Sequence, residues 1–527
     1  MKRTRTTAAV IAAIGLVTAL TACSSGSTAG DTASGGTPVS GGTLNYAIDA
    51  QPTAGGVDPM VATALAAQTI MDQSYETLLT KNDDGDIEPG LATKYDEVDD
   101  TTYNFTLRKG VKFSDGSDFT AEDVVYTFET YQKSTTSKRA YLSKLSAVTA
   151  KSDHEVEFTL SAPDSTFLNG LSNRETFMVV SSDAYADASA DDREKQTYGT
   201  GPFAVTDWKD GVSITLTKNK YYWGSKKPYL DEIVFQVIPD DSTRLAAVQQ
   251  GSVQAAWFSD GTVADQAVSA GWTQGKTYDT QGLPIFINPE SGPLSDVRVR
   301  RAVSLALDRD ALVDTAMFGN GKVSYVTPAG DPSSPEVTKD TPYYTQNIKK
   351  AKALLKEAGQ TSPTIELSYF GDAAASQHPI YELMQQQLAK AGITLKLESK
   401  STSELAPIFT SGQSFTDMVS LPWSFRADPT YYFDPFLSEA GAENHWDGNA
   451  DADEAKALLA QAKSETDPDA KAKLIQQLDD EVASQVLVLV PMSVPQHFEV
   501  WDSAKLKGYT TDPYGSRVAL KDAWLEP

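Results

Sequence analysis

The sequence predicts an α/β protein of more than one lobe, on three observations. Strand-like and amphipathic helical segments alternate along all 527 residues instead of being segregated. One stretch has a strand–helix–strand order, with a strand at Thr364–Phe370, a helix at Ser376–Ala391 and a strand at Ile393–Glu398. That βαβ unit implies a partly parallel sheet. A chain of this length also exceeds what one hydrophobic core organises, so two or three lobes are expected.

From the amino end, Lys2, Arg3 and Arg5 precede the uncharged run AAVIAAIGLVTAL, Ala8 to Leu20. A basic start and a short apolar run are those of a secretory signal peptide, and the run is too short for an ordinary membrane span. It ends on Leu20-Thr21-Ala22-Cys23, which holds the only cysteine of the chain. These four residues resemble the lipobox of bacterial lipoproteins. The resemblance implies removal of residues 1–22 and a diacylglycerol thioether on Cys23, because a thiolate is the nucleophile that accepts the lipid. Residues 23–41 are mostly Ser, Gly, Thr and Ala, so a flexible tether is expected, and two acyl chains suffice for a stable anchor.

The net charge of −26 is spread along the chain, and such a surface repels nucleic acid and anionic headgroups. Neither is an expected partner. With its one cysteine in the leader region, the body has no disulfide framework and no thiolate metal site.

Within the body, Tyr103, Phe105 and Leu107 alternate as on a half-buried strand, and Asp115-Gly116 forms a turn. Thr120 then opens a helix with Asp123 in the capping-box position. Thr200 to Gly224 reads as a hairpin turned at Asp210-Gly211, with Ile214 and Leu216 on one face. Asp296–Asp314 reads as a helix, and NIKKAKALLKEAG as another that closes on Gly359. The helix of the βαβ unit carries Ile380, Leu383, Met384 and Leu388 on one face. A helical stretch from Asp453 to Ala483 breaks near Asp467-Pro468, and VLVLVP at 486–491 is a short buried strand.

Five segments together carry a family resemblance: PGLATKYDEVDDTTYNFTLRKGVKFSDGSDFTAEDVVYTFE, GTGPFAVTDWKDGVSITLTKNKYYWG, FINPESGPLSDVRVRRAVSLALDRDALVD, KKAKALLKEAG and WSFRADPTYYFDPFLS. In this order they resemble the family 5 extracellular solute-binding proteins of ABC importers, which take peptides, nickel complexes or oligosaccharides. The resemblance implies a two-lobed periplasmic-binding-protein-like α/β fold (type II, cluster C) with a subdomain inserted in lobe one. The expected boundaries are 42–280 for lobe one, the inserted subdomain near 75–200, 281–494 for lobe two and 495–527 for the return to lobe one. Leu283–Pro289 and Met492–Phe498 are the expected crossovers. The implied function is capture of a small solute, a peptide by family default, between the lobes and its delivery to a membrane permease with an associated ATPase. The expected state is a monomer without cofactor, outside the cytoplasm and lipid-anchored to the cell membrane.

By the same resemblance, the loop PWSFRADPTYY lines the cleft. Trp423 would form a wall, Arg426 would clamp a carboxylate, and Tyr431 and Tyr432 would each offer an apolar body with a hydroxyl. Many peptide-binding members carry an aspartate three residues after this tryptophan for the peptide's amino terminus. Here Arg426 holds that place and Asp428 lies two residues further on, which leaves room for an anionic, metal-chelate or sugar ligand. Asn173 or Arg174 would contact ligand from the inserted subdomain, with Trp257 and Thr63 as further candidates.

The four histidines are dispersed and show no metal-ligand spacing. GTGPFA lacks the strand-to-helix turn of a dinucleotide fingerprint, and DGNADADEA lacks the glycine and the final glutamate of a calcium loop. No G-x-S-x-G elbow occurs. A secreted hydrolase is the competing reading from another class, and it predicts product release; a surface sensor or adhesin on the same fold is a third.

Overall fold

The structure, a computed structural model, describes residues 37–527 apart from 53–54, 63–64, 83–85, 135–136, 174–175, 226–227, 276–280, 332, 372–377, 422–427, 440, 442, 496 and 512–519. Cys23 and the leader lie outside the described residues. Among the described residues two large hydrophobic cores form. One draws on residues from Leu44 to Trp257 and from Leu506 to Ala523, the other on residues from Leu283 to Val494. They are the cores of two lobes.

Seven described strands form the sheet of the first lobe. Its central strand, Thr43–Ile48, runs parallel to both neighbours, Glu232–Val237 and Ala255–Phe258. Ser213–Lys218 and Phe203–Lys209 extend one side antiparallel, and Phe498–Trp501 and Thr273–Gln274 extend the other. Successive side chains of the central strand face opposite ways. Leu44, Tyr46 and Ile48 enter the main core, while Ala47 faces a smaller one with Leu245, Val248, Ala264 and Ala267 from two covering helices, Asp241–Gln249 and Gly261–Ser269. The expected hairpin at Asp210-Gly211 is present, with Gly211 at φ +70° and Ile214 and Leu216 fully buried.

Inserted between the strands Thr43–Ile48 and Phe203–Lys209 is a four-stranded antiparallel sheet, in the order Ala92–Asp99, Thr102–Leu107, Glu155–Leu160 and Leu145–Ser152. Tyr103, Phe105 and Leu107 point inward on it. The helix Ala121–Lys133 packs against this sheet and starts at Thr120, whose backbone N–H donates to Asp123 at 2.8 Å. Aromatic rings fill the space between: Phe128 meets Phe158 edge-on at 4.9 Å and Phe177 at 5.2 Å.

In the second lobe the βαβ unit forms as read. Thr364–Phe370 and Thr394–Lys400 are parallel neighbours joined through His378–Ala391, with Ile380, Met384 and Leu388 buried. Met418–Ser420, Ile285–Ile287 and Val488–Leu489 complete the described sheet. Ile348–Glu357 ends at Gly359, φ +72°. Asp453–Ser464 and Pro468–Gln485 are separate helices, the second capped by Asp467 through the Ala470 N–H at 2.8 Å. One expectation needs correction, because Asp296–Asp314 is not a single helix. Val297–Ala306 ends at an extended Leu307, and Asp308 caps a new turn, Arg309–Ala311. The break turns Arg309 inward, where its guanidinium donates to the carbonyls of Ser304, Tyr344 and Val490. No helix among the described residues is long and apolar enough to cross a membrane.

Candidate functional site

The chain passes between the two cores twice. The two passages, Gln281–Gly282 and Ser493–Val494, pair as a short antiparallel ribbon, and the Leu283 N–H donates to the Met492 carbonyl at 3.2 Å. The segment Leu283–Pro289 begins just past the first passage, and its Ile285–Ile287 is already a strand of the second lobe. Near the ribbon the lobes touch at Gly261, where a methyl group would lie 2.7 Å from the Asn320 side-chain nitrogen.

The lobes also meet along a polar seam. Ser165, Thr166 and Asn169 follow the strand Glu155–Leu160 and begin the short helix Phe167–Ser172. Opposite them stand Asp428, Tyr431, Lys463 and Lys471 of the second lobe. The Ser165 hydroxyl donates to the Lys463 carbonyl at 2.9 Å and accepts from Lys471 Nζ at 3.2 Å. Asn169 donates to Asp428 Oδ2 at 3.3 Å, and the Thr166 and Tyr431 hydroxyls lie 2.6 Å apart. Tyr141 adds an edge-on ring contact to Tyr431 at 4.2 Å.

Asp428 is the best-defined sequence candidate here. It is buried, and its Oδ1 accepts from the N–H and hydroxyl of Thr430, closing the Asp428-Pro429 turn. Its Oδ2 pairs with Lys471 at 2.6 Å, so the carboxylate is fully partnered within the chain. Lys81, at the end of the strand Leu79–Lys81, lies within electrostatic reach: burial lowers its pKa, while Asp428 and Asp331 oppose that shift. The Tyr431 hydroxyl is driven well above its ordinary pKa, first by burial and then by Asp164, so it remains a neutral hydrogen-bonding group.

The other candidates scatter. Tyr432 is fully buried in the second core and donates to Asp331 Oδ2 at 3.1 Å. Burial raises the Asp331 carboxyl. Asn173 is buried at the end of the helix Phe167–Ser172, where its carbonyl accepts from Thr176. Trp257 packs in the first core, its indole N–H donating to Asp49 at 3.1 Å and its ring 4.8 Å from His497. Trp423, Arg426, Arg174 and Thr63 lie outside the described residues.

Sequence reasoning did not single out Lys471, Ser165, Asn169 or Lys81. Each is an ordinary polar residue in its local stretch, and the fold brings them together across separations such as 306 positions for Ser165 and Lys471. It also missed a buried polar chain beside the ribbon. His497 contacts Glu499 at 2.8 Å, Glu499 accepts from the Tyr509 hydroxyl at 2.8 Å, and that hydroxyl lies 3.2 Å from Tyr46. A cavity of about 1000 Å³, lined by Asp308, Arg309, Lys322, Ser334 and Tyr344 among others, belongs to the second lobe alone. A solute there would touch one lobe and would not couple binding to closure.

Comparison with known proteins decides the family. The model of the bacterial extracellular solute-binding proteins, family 5 Middle, matches residues 86–444, well over half of the chain. The chain belongs to this family. The oligopeptide-binding protein AppA of Bacillus subtilis (strain 168) is 28 % identical over 565 aligned residues, covering 100 % of both chains. The nickel-binding periplasmic protein of Escherichia coli (strain K12) is 28 % identical over 399 residues, 71 % of this chain and 74 % of that one. The solved structure of AppA from Bacillus subtilis in complex with a nonapeptide superposes with a TM-score of 0.77 at 25 % identity, covering 93 % of this chain and 100 % of that one. This family 5 protein thus has the two-lobed α/β fold with an inserted subdomain, and it acts as a substrate-binding protein of an ABC importer.

Proposed function

We propose that the protein captures a peptide between its two lobes and hands it to a membrane permease, held at the cell surface by lipid on Cys23. The observation that carries this reading is the pairing of two separate cores through one short ribbon, with polar groups of both lobes facing each other along a seam. A solute bound between such bodies contacts both only when they close, so it shifts the open–closed balance by its differential affinity. Binding and release then need no bond to be made or broken.

In this reading lobe one comprises 42–280 with 495–527, lobe two is 281–494, and the ribbon Gln281–Gly282/Ser493–Val494 is the hinge. Trp423, Arg426 and Tyr431 line the cleft, with Thr63, Asn173, Arg174 and Trp257 as further contacts. Asp428 takes part through the seam. The protein works as a monomer. Native mass spectrometry of gently purified protein should show co-purifying peptides, and returning them to stripped protein should raise its melting temperature without turnover. Trp423→Ala should weaken that capture at least about tenfold while leaving the melting temperature of the empty protein unchanged. Release of cleaved products would favour a hydrolase. A nickel chelate is the second reading, favoured by the likeness to the nickel-binding protein, and metal in the native mass spectrum would select it.

A further inference from the structure

We infer that the polar seam is a latch, by which the protein closes part of the time with no solute bound. Its hydrogen bonds join groups of the first lobe directly to groups of the second. Asn169 reaches Asp428, Ser165 meets both Lys471 and the Lys463 carbonyl, and Thr166 meets Tyr431. Lys471 is the centre. It pairs with Asp428 inside the second lobe and donates across the seam to Ser165, so closure supplies fixed partners to a charge pair already assembled. With side chains 13 % and 1 % exposed, that pair is screened from solvent in the closed form. Tyr141 covers Tyr431 from the first lobe's side and adds apolar contact. Each net hydrogen bond is worth roughly a fivefold change in an equilibrium, so four acting together weigh the balance of the empty molecule toward the closed form. A solute then tips an equilibrium that is already poised.

The test needs no knowledge of the solute, so it stands or falls separately from the peptide reading. The full chain with Cys23→Ser, stripped by unfolding and refolding, is labelled at Val212→Cys and Lys352→Cys, exposed positions on opposite lobes. Single-molecule energy transfer reads the closed and open populations, and mass spectrometry confirms that no solute is bound. The comparison variant is Ser165→Ala/Asn169→Ala/Tyr431→Phe, which removes side-chain groups that bond across the seam. The empty parent should show both populations, and the variant should lower the closed-to-open ratio at least about tenfold with the same melting temperature. Asn169→Ala alone should lower it several-fold. A single open population in the parent, or equal ratios in parent and variant, would overturn the latch.

Discussion

Asp479 sits almost fully buried on the helix Pro468–Gln485. One carboxylate oxygen accepts from the Val326 N–H at 3.1 Å and the other has no hydrogen-bond partner among the described residues. Burial pushes its carboxyl well above the usual range. The folded protein therefore keeps this proton to higher pH than the unfolded chain does. The benefit is full below the unfolded value and is lost as pH rises through the folded one. Asp479→Asn should raise stability at pH 7 by on the order of 1 kcal/mol and leave it nearly unchanged at pH 3, as measured by urea unfolding at both. Arg300 is the opposite case, a buried cation with partners. It donates to Asp451 at 2.6 Å and to the carbonyls of Leu294 and Gln485. Arg300→Ala should cost about 3 kcal/mol in the same measurement, since it strips these bonds, and a longer one to the Ser295 carbonyl, at once. Single residues were the least legible level of the sequence. The Asp428-Pro429 turn could be read from its own chemistry, but the pairing of Asp428 with Lys471, 43 positions away, had no local trace.

Elements were far more legible because their signals are local. Alternation gave the strand Thr102–Leu107, the Thr120/Asp123 pair gave the start of a helix, and Gly359 gave the end of another. The break at Leu307 escaped although Asp308 caps the new turn, because the Tyr344 and Val490 carbonyls that receive Arg309 lie far along the chain. The motif Gly199-Thr200-Gly201 shows what a glycine pattern can mean besides phosphate binding. A methyl group at Gly199 would lie 2.2 Å from the Ser74 carbonyl oxygen, and one at Gly201 would lie 2.5 Å from the Ser74 carbonyl carbon. The Gly201 and Phe203 N–H groups bond to Ser74 and Gln73 there, so the loop has no room to withdraw. Gly199→Ala should cost about 2 kcal/mol, lowering the urea midpoint. Gly211→Asn, at an open turn with positive φ, should leave it within a few tenths of a kcal/mol.

At the scale of the whole molecule, length and element order already called for more than one lobe, and the motifs in sequence called for a hinge. They did not say how the lobes would meet, because the seam and the ribbon are contacts between segments hundreds of residues apart. The same long reach has a consequence for how the molecule is built. Phe498–Trp501 lies between Ala255–Phe258 and Thr273–Gln274, and among the described residues that outer strand joins the sheet through it alone. The second core, by contrast, draws on no described residue beyond Val494. In chain order the first lobe's sheet is therefore the last to be finished. Thr43–Ile48 finds both its neighbours early, but the outer edge of Ala255–Phe258 and the strand Thr273–Gln274 stay open until the carboxyl-terminal return arrives.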